Sequence, residues 1–411
     1  MARNYKSFYT STNDSSALEQ AFYLKKETTK GTLIAPASTD FLFTLPGGSV
    51  KFNQPFESSP HRSGRHHLDT IKKKKECSWN LSTYFNINES LGAANFAEID
   101  APVRQLWKSV LGNEVVSAGA VYSSLTTPDE TFTLMEVGDK WARQCRGAFV
   151  MDNTVNLPGN GEATCEWNGN AVESFLIGIG KSVTANAANT VTVAAGEGNA
   201  FRVGGLVMLI KVDGTTRSSD TPAGSARTIT AISGDVITLS GAVLTDADGS
   251  VALNEVYLSY YEPATKTAIN NPLTGLVGSM SFADLPSQCF RSATVKIAND
   301  HELVDYCYGH DSLDAPFFVP ANRLTVTVSA ELNLNANLVQ FFNRVQDFQS
   351  KDFQAILGSA TGRRMVIDCP KVIFPVPEFS VPETGSIPVT FEGTAYQTAL
   401  DAADEITVSF I

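Results

Sequence analysis

The chain has 411 residues, 43% of them hydrophobic and 18% charged, with 31 Lys and Arg against 43 Asp and Glu for a formal charge of −12 at pH 7. At about 150 residues per domain this is a folded chain of two to three domains, not a disordered or collagen-like one. A protein that grips nucleic acid by its phosphates needs a basic face, and the acidic balance argues against that as the main role.

No stretch approaches 18 consecutive apolar residues, so no transmembrane helix is expected. The opening MARNYKSFYTSTNDSS lacks the apolar core of a signal peptide, and synthesis in the cytoplasm is expected. The six cysteines (Cys77, Cys145, Cys165, Cys289, Cys307, Cys369) form no CxxC. Their wide spacing suits buried free thiols better than zinc or a disulfide scaffold.

Residues 1–38 are polar and read as an extended N-terminal arm with little core of its own, in which Phe22 and Tyr23, followed by Lys25 and Lys26, offer a docking point. A first β-rich domain is expected over 39–179. It opens with an apolar strand at 41–45. Trp79, Leu81, Thr83, Phe85 and Ile87 alternate with polar residues, the period of a half-buried strand. Asp100 and Pro102 then start a helix whose stripe is Val103, Leu106, Trp107, Val110 and Leu111, ended by Gly112.

Residues 180–265 read as an inserted small all-β domain. A low-bulk linker strand is followed by β runs at 206–212, 227–232, 236–239 and 256–261 between Gly, Asp and Ser turns. A second β-rich domain is expected over 275–411. There the alternating RLTVTVSAELNL precedes a helix stripe of Leu338, Phe341, Phe342 and Val345. Gly161 to Gly169 aligns with Gly385 to Gly393 over an interval of 224 residues, which also separates Cys145 from Cys369 and Pro158 from Pro382. Strand, helix and closing hairpin in one order, twice, indicate internal duplication.

Sites of chemistry are not expected. Gly180-Lys181-Ser182 has Phe175 where a phosphate loop needs its first Gly, and the segment from Asp246 has Val251 and Tyr257 where a calcium loop needs Gly and Glu. His61, His66 and His67 lie in a basic loop without a completing ligand set, and His301 and His310 are isolated. The reading is of no enzyme, no metal and no cofactor. One stretch stands out: residues 57–76, between two β runs, carry Arg62, Arg65, Lys72, Lys73, Lys74 and Lys75 in an acidic chain. This is read as a contact arm toward an acidic surface of a neighbouring copy. The equivalent loop 306–321 carries Asp311 and Asp314, which suits unlike contacts between stacked units.

The polar arm with KKETTKGT, the apolar strand after it, the long loop 57–76, the single amphipathic helix after a hairpin and the Gly-bounded closing hairpin together resemble the major tail tube proteins of long-tailed bacteriophages. The match is to the duplicated tube-domain type with an extra β insert, over about 40–180 and 275–411.

The resemblance implies a mainly β fold. Two tandem β-sandwich or half-barrel domains each carry one flanking α-helix, with the small all-β insert on the outer surface. It implies a structural virion protein whose rings, homotrimeric with pseudo-sixfold symmetry, stack into the tail tube, a conduit for genome ejection. The implied partners are the chain itself, a tape measure protein and a tail terminator during assembly in the host cytoplasm. Double-stranded DNA would pass without specific binding, and no membrane is involved. Contacts between subunits and rings would fall on Phe22, Tyr23, Lys25, Lys26, the 57–76 cations, Asp311 and Asp314. The alternative is another β-rich virion protein: a tail terminator, a decoration protein or a baseplate component.

Overall fold

A single strand of 17 residues, Ala142–Pro158, organises the first half of the chain in a computed structural model. The structure describes residues 20–58, 62–63, 66–67, 70–72, 76–85, 101–116, 119–125, 130–185, 189–211, 226–241, 256–263, 273, 278–282, 290–304, 317–320, 323–347, 349–358, 364–379 and 381–411. The N-terminal half of this strand pairs with Phe132–Val137 and Glu173–Ile177, and its C-terminal half pairs with Thr164–Ala171. A register shift between Val150 and Asp152 lets one strand serve two ladders, as a bulge bends a strand and re-aims its side chains. The fold is mainly β, with two α-helices of any length among the described residues: α1, Ala101–Leu111, and α2, Ala336–Gln346.

The ladder order of the first half is Ser49–Asn53, Glu76–Tyr84, Thr164–Ala171, Ala142–Pro158, Phe132–Val137, Ala21–Lys26. The second half repeats it as Phe290–Ala298, Thr325–Asn333, Pro388–Ala395, Met365–Ile373, Lys351–Leu357, Gly278–Phe282. All these pairings are antiparallel. The irregularity at Phe132/Leu134 recurs at Lys351/Phe353. Thr164–Ala171 and Pro388–Ala395 alternate buried and exposed positions identically. Gly169 and Gly393 are required alike: a Cβ at Gly169 would strike the Phe149 carbonyl, and one at Gly393 would lie 2.6 Å from the Ile373 carbonyl.

Each helix packs its apolar stripe on its own sheet. Trp107 meets Trp167 edge-on at 5.0 Å, and Phe341 meets Phe391 edge-on at 5.0 Å. Helix α1 stops at Gly112, whose φ of 94° only glycine adopts readily. Asn335 caps α2 by accepting the Leu338 N–H at 2.9 Å.

Two expectations need correction here. Residues 21–26 are not an arm without a core: Phe22, Tyr23 and Leu24 are fully buried within their own chain, in register with Leu134 to Glu136. Their apolar run is a central strand, flanked by Phe41–Leu42 on its other side, and that second strand spans two residues where five were expected. The low-bulk 180–200 segment is likewise no linker. Ile179–Ala185 and Thr190–Val193 join Leu206–Lys211, Arg227–Ser233, Val236–Leu239 and Val256–Tyr260 in a closed six-stranded barrel.

The barrel is fused to the first half through a shared core of Tyr23, Met135, Phe175 and Ile177 with Val207, Ile210 and Leu258. Gln144 seals the seam from both sides, donating to the Leu206 carbonyl at 2.8 Å and accepting the Leu206 N–H at 2.6 Å. Tyr260 donates to the Asp139 carbonyl at 2.9 Å.

Candidate functional site: a sheet junction, two open edges and a polar face

The two halves join strand to strand. Phe290–Ala298 lies along the C-terminal part of Ala142–Pro158, in register from Asp152 opposite Ala298 to Pro158 opposite Ser292. Period-2 alternation sends Val155, Leu157, Val295 and Ile297 into the core, and all four are buried. The junction continues past both ends: Asn299 N–H donates to the Met151 carbonyl at 2.8 Å, and Gly159 N–H to the Arg291 carbonyl at 2.8 Å. Asn299 also donates from its side chain to the Val110 carbonyl at 3.0 Å, satisfying an orphan carbonyl at the end of α1. A second seam pairs Ala120–Ser124 with Thr407–Phe410.

Because the halves repeat, each side of this junction has an equivalent elsewhere in the chain. Ser49–Asn53 stands where Phe290–Ala298 stands; among the described residues its one partner strand is Glu76–Tyr84, and on its outer side the Val50 carbonyl accepts the Arg143 guanidinium. Residues 376–382 stand where 152–158 stand, since Phe149 and Ile373 occupy equivalent places beside Gly169 and Gly393. The equivalents differ sharply in exposure. Val155 and Leu157 are 0% and 1% exposed, whereas Phe379 and Val381 are 46% and 72% exposed. Ile297 is buried, whereas Phe52 is 37% exposed.

Described residues between 374 and 387 form no strand. Pro388–Ala395 is consequently paired on that side only through Thr394 and Ala395, whereas Thr164–Ala171 is paired along its length. Phe342 of α2 is only half-buried, with Phe379 edge-on at 5.6 Å, while Trp107 in α1 is fully buried. Among the described residues the sheet therefore ends with a strand that has no partner strand on one side and an apolar segment outside any strand on the other.

The solvent-facing side of this sheet is polar and lightly charged. Among the described residues its ionic groups include Lys51, Asp152, Glu166, Arg291, Lys296, Glu331 and Glu392, set among Ser, Thr and Asn. Lys51 and Lys296 occupy equivalent positions, opposite Ser78 and Thr327. Neighbours engage the carboxylates: Asn168 donates to Asp152 at 2.8 Å, Asn156 to Glu166 at 3.0 Å, and Arg291 pairs with Glu331 at 3.0 Å. A depression of about 420 Å³ on this face is lined by Lys51, Trp79, Asn80, Asp152, Asn168 and Asn170. With Lys51, Lys296 and the Glu331-paired Arg291 against four carboxylates, the face offers phosphates little to hold.

Of the residues expected at contacts between copies, Phe22 and Tyr23 lie in the core and are withdrawn from that role. Lys25 pairs with Asp40 at 3.6 Å and Lys26 with Glu130 at 2.6 Å, both within the chain. Arg62 and Lys72 lie on the short strands Arg62–Ser63 and Thr70–Lys72, part of a hairpin in which Phe56 and Ile71 are exposed. Arg65, Lys73, Lys74, Lys75, Asp311 and Asp314 lie outside the described residues. Aligning the duplicated halves would have matched Phe379 to Val155, but nothing local in the sequence marks it as exposed.

Next to the first strand, the buried Glu27 accepts the N–H groups of Gly147 at 2.7 Å and Gly31 at 2.8 Å, and the Thr131 hydroxyl at 2.8 Å. Burial pushes its carboxyl above the ordinary range, against the pull of these donors. Cys77 and Cys145 place their sulfurs 3.8 Å apart between the two ladders of the first half. The neighbouring Cys77 thiol, and then burial, push Cys145 up. Gly180-Lys181-Ser182 lies within a barrel strand, without the strand–loop–helix geometry of a phosphate site. His301 is buried with Nδ1 2.8 Å from the Asn299 carbonyl, and His66 and His67 sit on a two-residue strand opposite Ser63 and Arg62. Among the described residues no group of three His, Cys, Asp or Glu side chains is placed to share a metal ion. Compared with known proteins, the chain matches no family model and has no detectable relative among curated sequences.

Proposed function

We propose that this chain is a structural subunit that joins copies of itself edge to edge into rings, and that the rings stack into a hollow tube that conducts DNA, as in the tail tube of a long-tailed bacteriophage. One observation carries the reading. The sheet already continues from one half to the other through 152–158 and 290–298. Among the described residues the equivalents of both strands have no partner strand on their outer sides, where Ser49–Asn53 and the preceding Gly48 carry side-chain bonds from Arg143 and Gln20. An edge with unpaired N–H and C=O groups is a template for another strand, and head-to-tail repetition of one junction produces a ring when the rotation closes.

In a ring of duplicated chains, three copies give six like domains around a pseudo-sixfold axis. The polar, hydroxyl-rich side of the sheet would form the inner wall. Its carboxylates and scarcity of free cations suit passage of double-stranded DNA without a strongly bound state. The hairpin and loops around 57–76 would reach the adjacent ring, and the barrel would stand on the outside. A tape measure protein and a tail terminator would set the length of such a tube, built in the host cytoplasm and carried in the virion. No catalytic role, metal or cofactor is part of this reading.

Electron microscopy of the concentrated protein, with end-on views classified by symmetry, tests it. Hollow stacked rings of three chains are the expected result. Single unstacked rings would move the assignment to a terminator-like cap, and a protein monomeric at all concentrations would overturn it.

A further inference from the structure

We infer that residues 376–382 become a strand only on assembly, held between Pro388–Ala395 of their own chain and Ser49–Asn53 of a second copy. The register would place 376 opposite 53 and 379 opposite 50. The inference rests on the self-assembly reading above and adds to it a specific partner segment and a folding step.

The chain contains its own reference for this arrangement. In the first half, 152–158 forms a strand with Thr164–Ala171 on one side and Phe290–Ala298 on the other. Both neighbours are permanent because both belong to the same chain. In the second half only the first of these neighbours is present, as Pro388–Ala395, and the described residues of the equivalent segment form no strand. The missing neighbour is the equivalent of Phe290–Ala298, and the one other strand at that place in the ladder is Ser49–Asn53. On the needed side no described strand pairs with it; there the Val50 carbonyl accepts the Arg143 guanidinium and the Gly48 carbonyl accepts the Gln20 amide at 3.0 Å, bonds that the incoming strand would replace.

The side chains fit the same register. Phe379 would face Val50 as Val155 faces Val295. Val381 would face Gly48, which is closely packed against Leu81 and Phe22 and has no side chain to obstruct it. Pro382 stands where Pro158 ends the strand of the first half, so its missing N–H is already accommodated in the reference. Pro377, the equivalent of Asn153, has no N–H to offer Phe52, so this junction would carry one backbone bond fewer than its reference. A strand completed only by the next copy prevents the lone chain from presenting a finished adhesive edge.

Hydrogen exchange on the full chain, free and assembled, reads this step. The amides of Glu378, Phe379 and Val381, together with that of Phe52, are expected to slow by at least about 100-fold on assembly. In parallel, singly substituted Val376→Cys and Asn53→Cys proteins are mixed, assembled and oxidised with diamide. A disulfide between copies is expected for this pair and not for Val376→Cys with Phe52→Cys, which would face the opposite side of the sheet. Assemblies whose 378–381 amides exchange as in the free chain, or which cross-link in the shifted pair, would overturn the inference and leave the tube reading standing. Failure to assemble under any condition would overturn both.

Discussion

Val381→Asp isolates the junction from the fold. Val381 is 72% exposed in the single chain and touches no core, so the substitution should leave folding stability within about 0.5 kcal/mol. Its equivalent Leu157 is 1% exposed, and Phe379, 46% exposed, corresponds to Val155 at 0%. Burying a whole aliphatic or aromatic side chain is worth about 1.5–3 kcal/mol. The exposed shares of Val381 and Phe379 thus correspond to roughly 2–3 kcal/mol per junction on the same scale. An aspartate at 381 forfeits the valine's share, about 1–2 kcal/mol, and moves a carboxylate from water into the junction, adding about 2 kcal/mol or more. At 1.4 kcal/mol per factor of ten, self-association should weaken by at least about 100-fold. Sedimentation velocity over a concentration series reads this shift, with circular dichroism and thermal melting as the folding control. Leu157→Asp, the same change at the equivalent place, should unfold the protein instead. Assembly of Val381→Asp at the wild-type concentration would refute the reasoning.

Four further outcomes follow from particular contacts. Glu27→Ala leaves the Gly31 and Gly147 N–H groups without their acceptor, at about 1–3 kcal/mol each, so urea unfolding should show a loss of roughly 2–5 kcal/mol. Because the folded Glu27 carboxyl is raised above its ordinary 4.5, its contribution is fully present below that value and declines as pH rises through the folded pKa; the gap between wild type and variant should therefore be wider near pH 4.5 than at pH 8, and a gap that widens with pH would contradict the assignment. Gly169→Ala drives a methyl into the Phe149 carbonyl and the Trp79 ring and should lower stability by about 3 kcal/mol, whereas Gly161→Ala, in ordinary contact with Pro158 at 3.5 Å but at a φ of 138°, should be milder in thermal melts. Iodoacetamide should leave Cys77, Cys145, Cys165 and Cys369 unmodified in the folded protein, since all four are buried; labelling faster than global unfolding, read by mass spectrometry, would place them in mobile surroundings. Replacing the four lysines at 72–75 by glutamate should leave rings intact and abolish stacking, and stacked tubes from that variant would remove the contact arm from the assembly scheme.

The sequence by itself determined what is local. Period-2 alternation from Trp79 to Phe85 and from Arg323 to Leu334 marked half-buried strands, and the stripes at Val103 to Val110 and Leu338 to Val345 marked two helices, because side-chain direction repeats with the backbone period. The 224-residue interval between Cys145 and Cys369 marked a duplication that reappears as one ladder order drawn twice. The barrel runs after residue 205 were legible for the same reason. The fate of Phe22 and Tyr23 was not: three apolar residues in a polar stretch look alike whether they dock on a neighbour or fill their own core, and the choice was made by the Phe132–Val137 edge lying more than a hundred residues away. The low-bulk residues 180–193 were similarly opaque, since their place in the barrel comes from the ladder that closes around them and not from their own pattern. The candidate site lies furthest from the sequence. Val155 and Phe379 are both apolar residues at equivalent places after equivalent strands. One is buried and the other exposed because the chain supplies a covering strand on one side of the molecule and runs out of strands on the other. Strand pairing is a contact between distant segments, and only the tertiary structure decides which edges are left open.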